Sequence, residues 1–457
     1  MIDLRNIENT KWEDVKISIL GAGRSGLAAY ELCVHIGAKP FISDRDANKI
    51  QLSTLDLNFE IGEHSEKVLS AHLIILSPGI PDSISIVQKA LHLDIPVISE
   101  IEFASWFTNA PILAITGSNG KTTTTNILHS IIDASQYSSL MGGNVGIPFS
   151  KNVLLELQGT INNPVHVLEL SSFQLEHILH FSPQIACILN ISPDHLDRYN
   201  DIIDYMNAKL NIVKNLNESA RLVYNGNDLL LQQSLEGQYR NCTPFSANAN
   251  QQAHYFYDGK NIIDHDGDTI IEMNKTKLKG LHNVENILAA TTMAYEFGIS
   301  TTIIKHAIEN FIPIPHRIEF VAEINNIKYY NDSKATNIAS TIAGITSFDS
   351  NVILILGGTD KGETDFTDLI PHMKDRIKLI ICYGKAGENI LSQLNNNGYI
   401  LHYEMNFNSS FNIAQQNANS GDTVLLSPAC ASYDQFSSYE DRGNSFKMLV
   451  NNIGVNV

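Results

Sequence analysis

Short apolar runs, each followed directly by glycine or polar residues, recur along this chain and set its predicted architecture. The first run covers residues 15–20 and leads into Gly21-Ala22-Gly23-Arg24-Ser25-Gly26, after which residues 27–36 have helical character. Further runs at 41–44 and 73–76 follow. Apolar runs that alternate with helical segments indicate buried parallel strands. The pattern predicts an open parallel sheet over residues 1–108.

The residues that join the first two predicted strands form a dinucleotide-binding fingerprint. Three glycines allow a tight turn, and Asp44 follows 18 residues after Gly26. An acid at this place suits a ribose hydroxyl. The motif predicts a bound nucleotide in the first unit, but it does not choose among NAD, FAD and a UDP-sugar.

A second unit opens at an apolar run, 111–115, which leads into a glycine-containing loop and then a helical segment, 126–132. The loop reads Gly117-Ser118-Asn119-Gly120-Lys121-Thr122-Thr123. Glycines let backbone N–H groups approach an anion at a helix N-terminus. Lys121 can reach the outer phosphates, and Thr122 can ligate Mg²⁺. Although Ile115 stands where the usual pattern has its first glycine, the loop predicts a bound nucleoside triphosphate.

Further strands are predicted in the second unit and in a third. Apolar runs at 166–170 and 185–191 end near polar residues, at the sheet edge where α/β proteins bind ligands. A polar section, 225–275, predicts a small antiparallel patch, and residues 283–297 predict a helix. Two prolines near 313–317 indicate a boundary. Beyond it, three apolar runs precede glycine or polar loops; they cover 352–356, 379–383 and 423–426.

We therefore predict an α/β protein of three domains. The boundaries are 1–108, 109–313 and 314–457, with Rossmann-like first and third domains and a central mononucleotide-binding domain that carries the phosphate loop.

Composition narrows the class of protein further. The 457 residues are 43% hydrophobic and 18% charged, and no apolar run approaches the length of about 18 residues that a membrane span needs. A formal charge of −18 argues against nucleic acid as a partner. Five scattered cysteines without paired spacing favour buried thiols in a reducing compartment. We expect a cytoplasmic protein that does not insert into a membrane.

Several longer motifs occur together and in one order. They read Leu168-Glu169-Leu170-Ser171-Ser172-Phe173-Gln174, Asp194-His195-Leu196-Asp197, His316-Arg317 and Asn331-Asp332-Ser333-Lys334-Ala335-Thr336-Asn337. With the phosphate loop, they resemble the Mur ligases, which add amino acids to the peptidoglycan precursor by ATP-driven amide formation. The resemblance covers almost the whole chain. Segments 142–146 and 427–436 are most similar to the members that add D-glutamate.

The resemblance implies a reaction and its participants. ATP would phosphorylate the carboxylate of UDP-N-acetylmuramoyl-L-alanine, and the amine of D-glutamate would then displace phosphate from the acyl phosphate. Two Mg²⁺ ions would assist, and the third domain would close on ATP and D-glutamate. The enzyme would act as a monomer. Positioning and charge neutralisation supply most of the catalysis in such chemistry.

The resemblance also assigns site residues. Catalytic roles fall on Lys121, His195, Lys209 and Asp332, and the sequence leaves open whether His195 or Asp332 accepts the proton of the incoming amine. ATP would bind at residues 117–123 and at Asn283, Asn286, Arg317 and Asp332. The metal ligands would be Thr122, Glu169, His195 and Lys209, the last as a carbamate. The UDP precursor would contact Arg24, Ser25, Asp44, Arg45, Gly79 and Asn144. D-glutamate would contact Lys334, Thr336, Lys361, Ser432, Tyr433 and Tyr439.

Other interpretations stay open at this point. Another amino-acid-adding Mur ligase would share most motifs. A folylpolyglutamate-synthetase-like ligase would share the chemistry but would leave the first 108 residues unexplained. A nicotinamide-dependent oxidoreductase would use Gly21 to Gly26 and Asp44 but would leave Lys121 and Glu169 without a role. A nucleotide-sensing protein without catalysis is the fourth possibility.

Overall fold

The computed structural model describes residues 4, 7–46, 58–194, 198–235, 239, 241–248, 253–278, 280–360, 362, 364–395 and 398–455. The chain divides into two compact units. The first comprises 1–273 and 285–310, and the second comprises 274–284 and 311–457. Each unit is described by itself below.

The first unit begins with a parallel sheet of five strands in the described residues, as the sequence predicts. Its strands lie in the order β3-β2-β1-β4-β5, and a helical crossover connects β1 to β2. The strands are β1 (Lys16–Leu20), β2 (Lys39–Asp44), β3 (Phe59–Ile61), β4 (Leu73–Leu76) and β5 (Val97–Ser99). The helices are α1 (Arg24–His35), α2 (Ser85–His92) and α3 (Glu100–Ser105).

A second sheet in the same unit has nine described strands in the order β14-β13-β12-β11-β10-β9-β6-β8-β7. The strands are β6 (Ile112–Thr116), β7 (Ser138–Gly143), β8 (Pro164–Glu169), β9 (Ile185–Ile188), β10 (Arg221–Asn225), β11 (Cys242–Ser246), β12 (Tyr255–Tyr257), β13 (Asn261–Asp264) and β14 (Thr269–Glu272). The pairing is antiparallel from β12 to β14, whereas β11 pairs in parallel with both neighbours. The predicted antiparallel patch is therefore confirmed for its last three strands.

Seven described helices belong to this part of the chain; the first five connect strands of the second sheet, and the last two follow β14. They are α4 (Lys121–Asp133), α5 (Phe149–Leu157), α6 (Ser172–Leu175), α7 (Ile202–Leu210), α8 (Leu229–Leu235), α9 (Leu281–Glu296) and α10 (Thr301–Asn310). Helix α9 begins within segment 274–284 and continues into the first unit. Short 3₁₀ turns cover Ile7–Asn9, Trp12–Asp14, Glu66–Ser70, Asn211–Val213 and Met273–Lys275.

One hydrophobic core joins the two sheets of the first unit. It runs without interruption from Ile17 in β1 through Phe103 in α3 and Phe149 in α5 to Leu168 in β8. Helices α1 and α3 both pack against α5, so that the crossover of the first sheet meets a helix of the second. Continuous burial of this kind holds the fingerprint loop and the phosphate loop in one body.

The second unit contains a six-stranded sheet in the order β15-β16-β20-β17-β18-β19, which is parallel except for the hairpin between β15 and β16. The strands are β15 (Glu319–Ile324), β16 (Ile327–Asn331), β17 (Val352–Gly357), β18 (Ile377–Tyr383), β19 (Leu401–Glu404) and β20 (Thr423–Ala429). The helices are α11 (Ile338–Thr346), α12 (Ile370–Met373), α13 (Gly387–Leu394), α14 (Phe407–Asn417) and α15 (Tyr439–Val455), with a 3₁₀ turn at Phe366–Leu369.

The α/β class and the three-sheet architecture are thus confirmed. In the part of the chain that the structure describes, no helix is long and apolar enough to cross a membrane.

Candidate active site

The phosphate loop lies between β6 and α4, as predicted. Its two glycines both have a positive φ, +149° at Gly117 and +84° at Gly120, and a Cβ on Gly117 would lie 2.9 Å from that of Leu189. Asn190, two residues after the end of β9, holds the loop from the side. Asn190 accepts from the Ser118 amide at 2.9 Å with its carbonyl and from the Asn119 amide at 2.8 Å with its side chain. The segment that follows β9 therefore fixes the shape of the loop.

Two lysine amines converge on one carbonyl of this loop. Lys121 Nζ donates to the carbonyl oxygens of Gly117 at 2.8 Å and Ser118 at 2.9 Å. Lys209, which α7 brings from 92 positions away, donates to the same Gly117 oxygen at 2.9 Å and lies 4.3 Å from the centre of the Tyr205 ring. Burial and then the nearby Lys121 charge hold the pKa of Lys209 well below its usual range. The neutral amine that reaction with CO₂ requires is therefore favoured at this position.

Glu169, at the end of β8, is the buried carboxylate of the site. Its Oε1 accepts from Asn144 Nδ2 at 2.8 Å, and its backbone carbonyl accepts from the Asn144 amide, also at 2.8 Å. Its Oε2 is buried and has no hydrogen-bond partner among the described residues. A buried carboxylate oxygen without a donor is costly unless a cation binds it.

These residues fit Mg²⁺. The ion prefers hard oxygen ligands, keeps several waters and is usually held by one or two carboxylates together with substrate phosphates. Glu169 Oε2 and the hydroxyl of Thr122, in the first turn of α4, supply ligands of that kind. Among the described residues, no group of three His, Cys, Asp or Glu side chains could hold a metal ion by itself. Waters and substrate phosphates would therefore complete the coordination of Mg²⁺. The predicted ligand His195 lies outside the described residues.

The predicted adenine-side residues lie early in α9. Asn286 Oδ1 accepts from Thr124 Oγ1 of α4 at 3.2 Å, and a Cβ on Gly120 would strike the same oxygen. Asn286 is thus packed against the base of the phosphate loop. Asn283, which falls in the second unit, is buried.

Apart from Asn144, which follows β7 of the second sheet, the predicted precursor residues lie at the carboxyl edge of the first sheet. Asp44 accepts from the Ala22 amide of the fingerprint loop at 2.6 Å and from the Asp46 amide at 2.8 Å. Arg24 Nη1 donates to the carbonyl of Gly146 at 3.4 Å. The other members occupy the same edge; they are Ser25 in the first turn of α1, Arg45 directly after β2 and Gly79 in the turn after β4. Asp44 shapes the glycine loop here, a role that its motif did not predict.

In the second unit, Asp332 follows β16 and is buried. Its Oδ2 accepts from Ser427 Oγ at 2.8 Å, and its Oδ1 accepts from the amide of Ile318 at 3.2 Å. Burial raises the pKa of this carboxyl group to about 7, although those hydrogen bonds and the Arg317 charge oppose the rise. Arg317 also lies near His282, whose pKa is lowered to about 4, chiefly by burial.

The predicted D-glutamate residues gather around the loops after β16 and β20. Lys334 Nζ lies 3.9 Å from the centre of the Tyr439 ring, and Ser333 Oγ donates to the Tyr439 carbonyl at 2.8 Å. Thr336 is half-buried in the same segment as Lys334, Ser432 is buried and Tyr433 is 74% exposed. Lys361 lies outside the described residues.

Models of known protein families match segments in all three sheets. Residues 15–99 match the model described as Mur ligase MurD-like, N-terminal domain; residues 115–294 match the Mur ligase middle domain; residues 316–430 match the Mur ligase, glutamate ligase domain. The UDP-N-acetylmuramoylalanine--D-glutamate ligase of Salinibacter ruber is 36% identical over 452 residues, covering 95% of this chain and 97% of that protein. The protein of the same name from Christiangramia forsetii is 38% identical over 448 residues, covering 96% and 99%.

The chain belongs to the Mur ligase family. Solved structures of family members share its fold. The UDP-N-acetylmuramate-alanine ligase MurC of Thermotoga maritima has a TM-score of 0.61 at 18% identity, covering 97% of this chain and 100% of that one. The MurF ligase of Thermotoga maritima in complex with ADP has a TM-score of 0.60 at 17% identity, covering 85% and 91%. At such identities the likeness concerns the fold alone.

One residue of this Mur ligase that the motifs did not indicate is Arg442, in the first turn of α15. Its side chain is fully buried, and it forms no ion pair with a described carboxylate. Instead it donates to Ser333 Oγ at 2.9 Å, to the Ser333 carbonyl at 2.8 Å, to the Cys430 carbonyl at 3.1 Å and to the Tyr383 hydroxyl at 3.0 Å. Arg442 thus connects the loops after β16 and β20 with the end of β18. Only its place three residues after Tyr439 could have drawn attention to it.

Proposed function

We propose that this chain ligates D-glutamate to UDP-N-acetylmuramoyl-L-alanine with ATP, a step of peptidoglycan precursor synthesis. The proposal rests above all on full-length similarity, at 36–38% identity, to proteins that bear the name of this activity. The predicted domains, 1–108, 109–313 and 314–457, would bind the precursor, ATP and D-glutamate respectively.

The chemistry must overcome the inertness of a carboxylate towards an amine. A carboxylate oxygen of the alanyl group attacks the γ-phosphorus of ATP, so that ADP leaves and an acyl phosphate forms. The amine of D-glutamate then adds to the acyl carbon, loses a proton and expels inorganic phosphate to give the amide. Lys121 would move from the Gly117 and Ser118 carbonyls to the outer phosphates, where its charge stabilises the transferring phosphoryl group.

Thr122, Glu169, His195 and a carbamate on Lys209 would hold Mg²⁺. When bound, the ions neutralise charge on the phosphoryl group and on the carboxylate that attacks it. The carbamate replaces a repulsive ammonium by an anionic ligand. The low pKa of Lys209 supports this modification, because only the neutral amine adds to CO₂.

D-glutamate brings two carboxylates, which require cations and hydrogen-bond donors. The proposed pocket provides Lys334, Lys361, Thr336, Ser432, Tyr433 and Tyr439. Asn283, Asn286, Arg317 and Asp332 would contact ATP. Both His195 and Asp332 stay candidates for the proton acceptor; a pKa of about 7 places Asp332 in the range that suits a base at neutral pH. A monomeric state stays a prediction.

The test is phosphate release from ATP and Mg²⁺ in the presence of UDP-N-acetylmuramoyl-L-alanine and one amino acid at a time. Release with D-glutamate, but not with L-glutamate, L-lysine, meso-diaminopimelate or L-alanine, is the expected result. Release with one of the others instead would move the chain to another substrate within the Mur ligase family. Release with none would refute the proposal.

A further inference from the structure

The helix α3 joins the two sheets of the first unit and carries two buried glutamates. Glu102 accepts from the backbone amides of Leu179, His180 and Phe181 at 2.8–3.0 Å, and from Trp106 Nε1 at 2.7 Å. Glu100 accepts from the amide of Ser150 at 2.5 Å. Through these two carboxyl groups, helix α3 of the first sheet binds two separate segments that belong with the second sheet, residues 179–181 and the start of α5.

The contact made by Glu100 is a helix cap supplied from another element. Helix α5 begins at Phe149, and its N-cap residue, Pro148, has no side chain that can accept a hydrogen bond. Ser150 is the second residue of α5, so its amide lacks an acceptor within the helix. Glu100 provides that acceptor, and a negative charge at a helix N-terminus is favourable.

The capped helix follows the segment that would contact the precursor. We call residues 142–148 the precursor loop. At its front, Asn144 is bonded to Glu169 through its amide and its side chain. In its middle, the Gly146 carbonyl accepts from Arg24, and Gly143 N donates to the Ile147 carbonyl at 3.2 Å. At its rear, the loop runs through Pro148 into the turn that Glu100 holds.

We propose that Glu100 is a positioning residue for binding of the UDP precursor, because its carboxyl group caps α5 and so holds the precursor loop in place. The inference rests on the proposed function, since it needs the precursor to contact this loop. Glu100 itself is buried behind the helix and acts through the loop.

The state of the cap should depend on pH. Burial raises the pKa of Glu100 to about 7, against hydrogen bonds from Ser150 that lower it, and its Oε2 has no partner among the described residues. Above pH 7 the carboxylate is the stronger acceptor and complements the helix terminus; below pH 7 the neutral acid is the weaker cap. The charged groups on the elements packed around Glu100 are bound to other residues. Lys151 pairs with Glu31 at 2.5 Å, and Glu156 pairs with His166 at 2.8 Å. Glu102 accepts from the backbone amides named above.

The test is binding of UDP-N-acetylmuramoyl-L-alanine to the full chain, without ATP or D-glutamate, measured by calorimetry at pH 6 and pH 8.5. Wild type, Glu100→Gln and the control Lys151→Ala, which breaks only an exposed ion pair on α5, are compared. At pH 8.5 we expect Glu100→Gln, which keeps an acceptor oxygen for the Ser150 amide but loses the negative charge at the helix terminus, to weaken precursor binding by about two- to fivefold, with the KM for ATP unchanged. Wild-type affinity should fall towards that of the variant at pH 6, and the control should match wild type at both values.

Equal affinity of wild type and Glu100→Gln at pH 8.5, or a pH difference that persists unchanged in the variant, would overturn the inference. If Glu100→Gln does not fold, the wild-type measurements alone test the proposal. Equal wild-type affinity for the precursor at pH 6 and pH 8.5 would overturn it. The proposed activity is tested separately, by phosphate release from the wild type with D-glutamate. A negative binding result would therefore exclude the positioning role of Glu100 without excluding the proposed activity.

Discussion

Replacing Asp332 by asparagine should make the folded chain more stable at alkaline pH, although Asp332 belongs to the proposed active site. Burial raises the pKa of this carboxyl group to about 7 from an ordinary value of 3.8. The fold therefore favours the protonated acid, and this contribution to stability is complete below about pH 4 and is lost as the pH rises through 7. Asparagine has no charge to lose, and its amide can accept from Ile318 N and donate to Ser427 Oγ.

The size of the effect follows from the pKa. At about 1.4 kcal/mol per pH unit, ionising the buried acid costs about 4 kcal/mol at pH 8.5 and less than about 2 kcal/mol at pH 5. The stability of Asp332→Asn relative to wild type should therefore increase by about 3 kcal/mol between these pH values. Ligation activity should fall sharply, because the proposed roles of Asp332 need its charge.

The assay must report on the second unit, because a chain of two units need not unfold in one step. Hydrogen exchange of peptides from β16, β17 and β20, followed by mass spectrometry, gives the free energy of opening of that sheet at each pH. Asp349→Asn, which alters an exposed acid of the same unit, is the control. A stability difference that is the same at pH 5 and pH 8.5, or a less stable Asp332→Asn at pH 8.5, would refute the reasoning.

Three further changes test other parts of the site. Lys209→Ala should keep the wild-type circular dichroism spectrum, but its rate of phosphate release should fall about a hundredfold or more, and added short carboxylates should restore part of that rate. Full activity without added carboxylates would contradict the proposal that Lys209 carries a carbamate. Gly120→Ala should lower the free energy of unfolding by about 1–2 kcal/mol and raise the KM for ATP, because φ at this position is +84° and the new Cβ would meet the Asn286 side chain. An unchanged thermal midpoint and an unchanged KM would count against this prediction. Arg442→Lys should raise the KM for D-glutamate and lower the urea midpoint, since at least about 3 kcal/mol of buried hydrogen bonds is lost; unaltered values would show that the loops hold without it.

The strands that the sequence predicts well are those buried on both faces. Residues 73–76 coincide with β4, and the predicted 352–356, 379–383 and 423–426 lie within β17, β18 and β20. Continuous apolar runs are the signature of central parallel strands. The hairpin of β15 and β16 was not predicted, because β15 is a half-exposed edge strand whose residues carry no clear alternation. Likewise β7 is an edge strand in which serines and glycines flank only two apolar residues, Leu140 and Met141, so that it shows no apolar run.

Features carried by consecutive residues can be seen in the sequence, whereas the individual hydrogen bonds between residues that are distant in the chain cannot. The loop from Gly117 to Thr122 carries its chemistry in consecutive residues. By contrast, nothing in the sequence shows that Lys209 shares the Gly117 carbonyl with Lys121. The partners of Arg442 at Ser333 and Cys430 are likewise distant in the chain. Such contacts depend on strand order and burial, which a linear pattern does not specify.

Glu169 is the point at which the proposed precursor site and the proposed metal site meet. Asn144 binds one of its carboxylate oxygens, and the other oxygen faces no donor among the described residues. Asn144 therefore sets the direction in which the second oxygen points. Residues that orient a metal ligand in this way commonly change metal affinity by about tenfold or more when they are replaced.

Asn144→Ala should consequently raise two quantities at once, the KM for UDP-N-acetylmuramoyl-L-alanine and the Mg²⁺ concentration that gives half-maximal phosphate release, the latter by about tenfold. Asn126→Ala is the matched control, because among the described residues the Asn126 side chain donates to the Thr122 carbonyl within α4, and its loss should leave the precursor KM unaltered. Titration of Mg²⁺ at saturating ATP separates the effects. If the precursor KM rises while the Mg²⁺ requirement stays at the wild-type value, Asn144 contacts the substrate but does not orient Glu169, and the coupling of the two sites through one carboxylate is wrong.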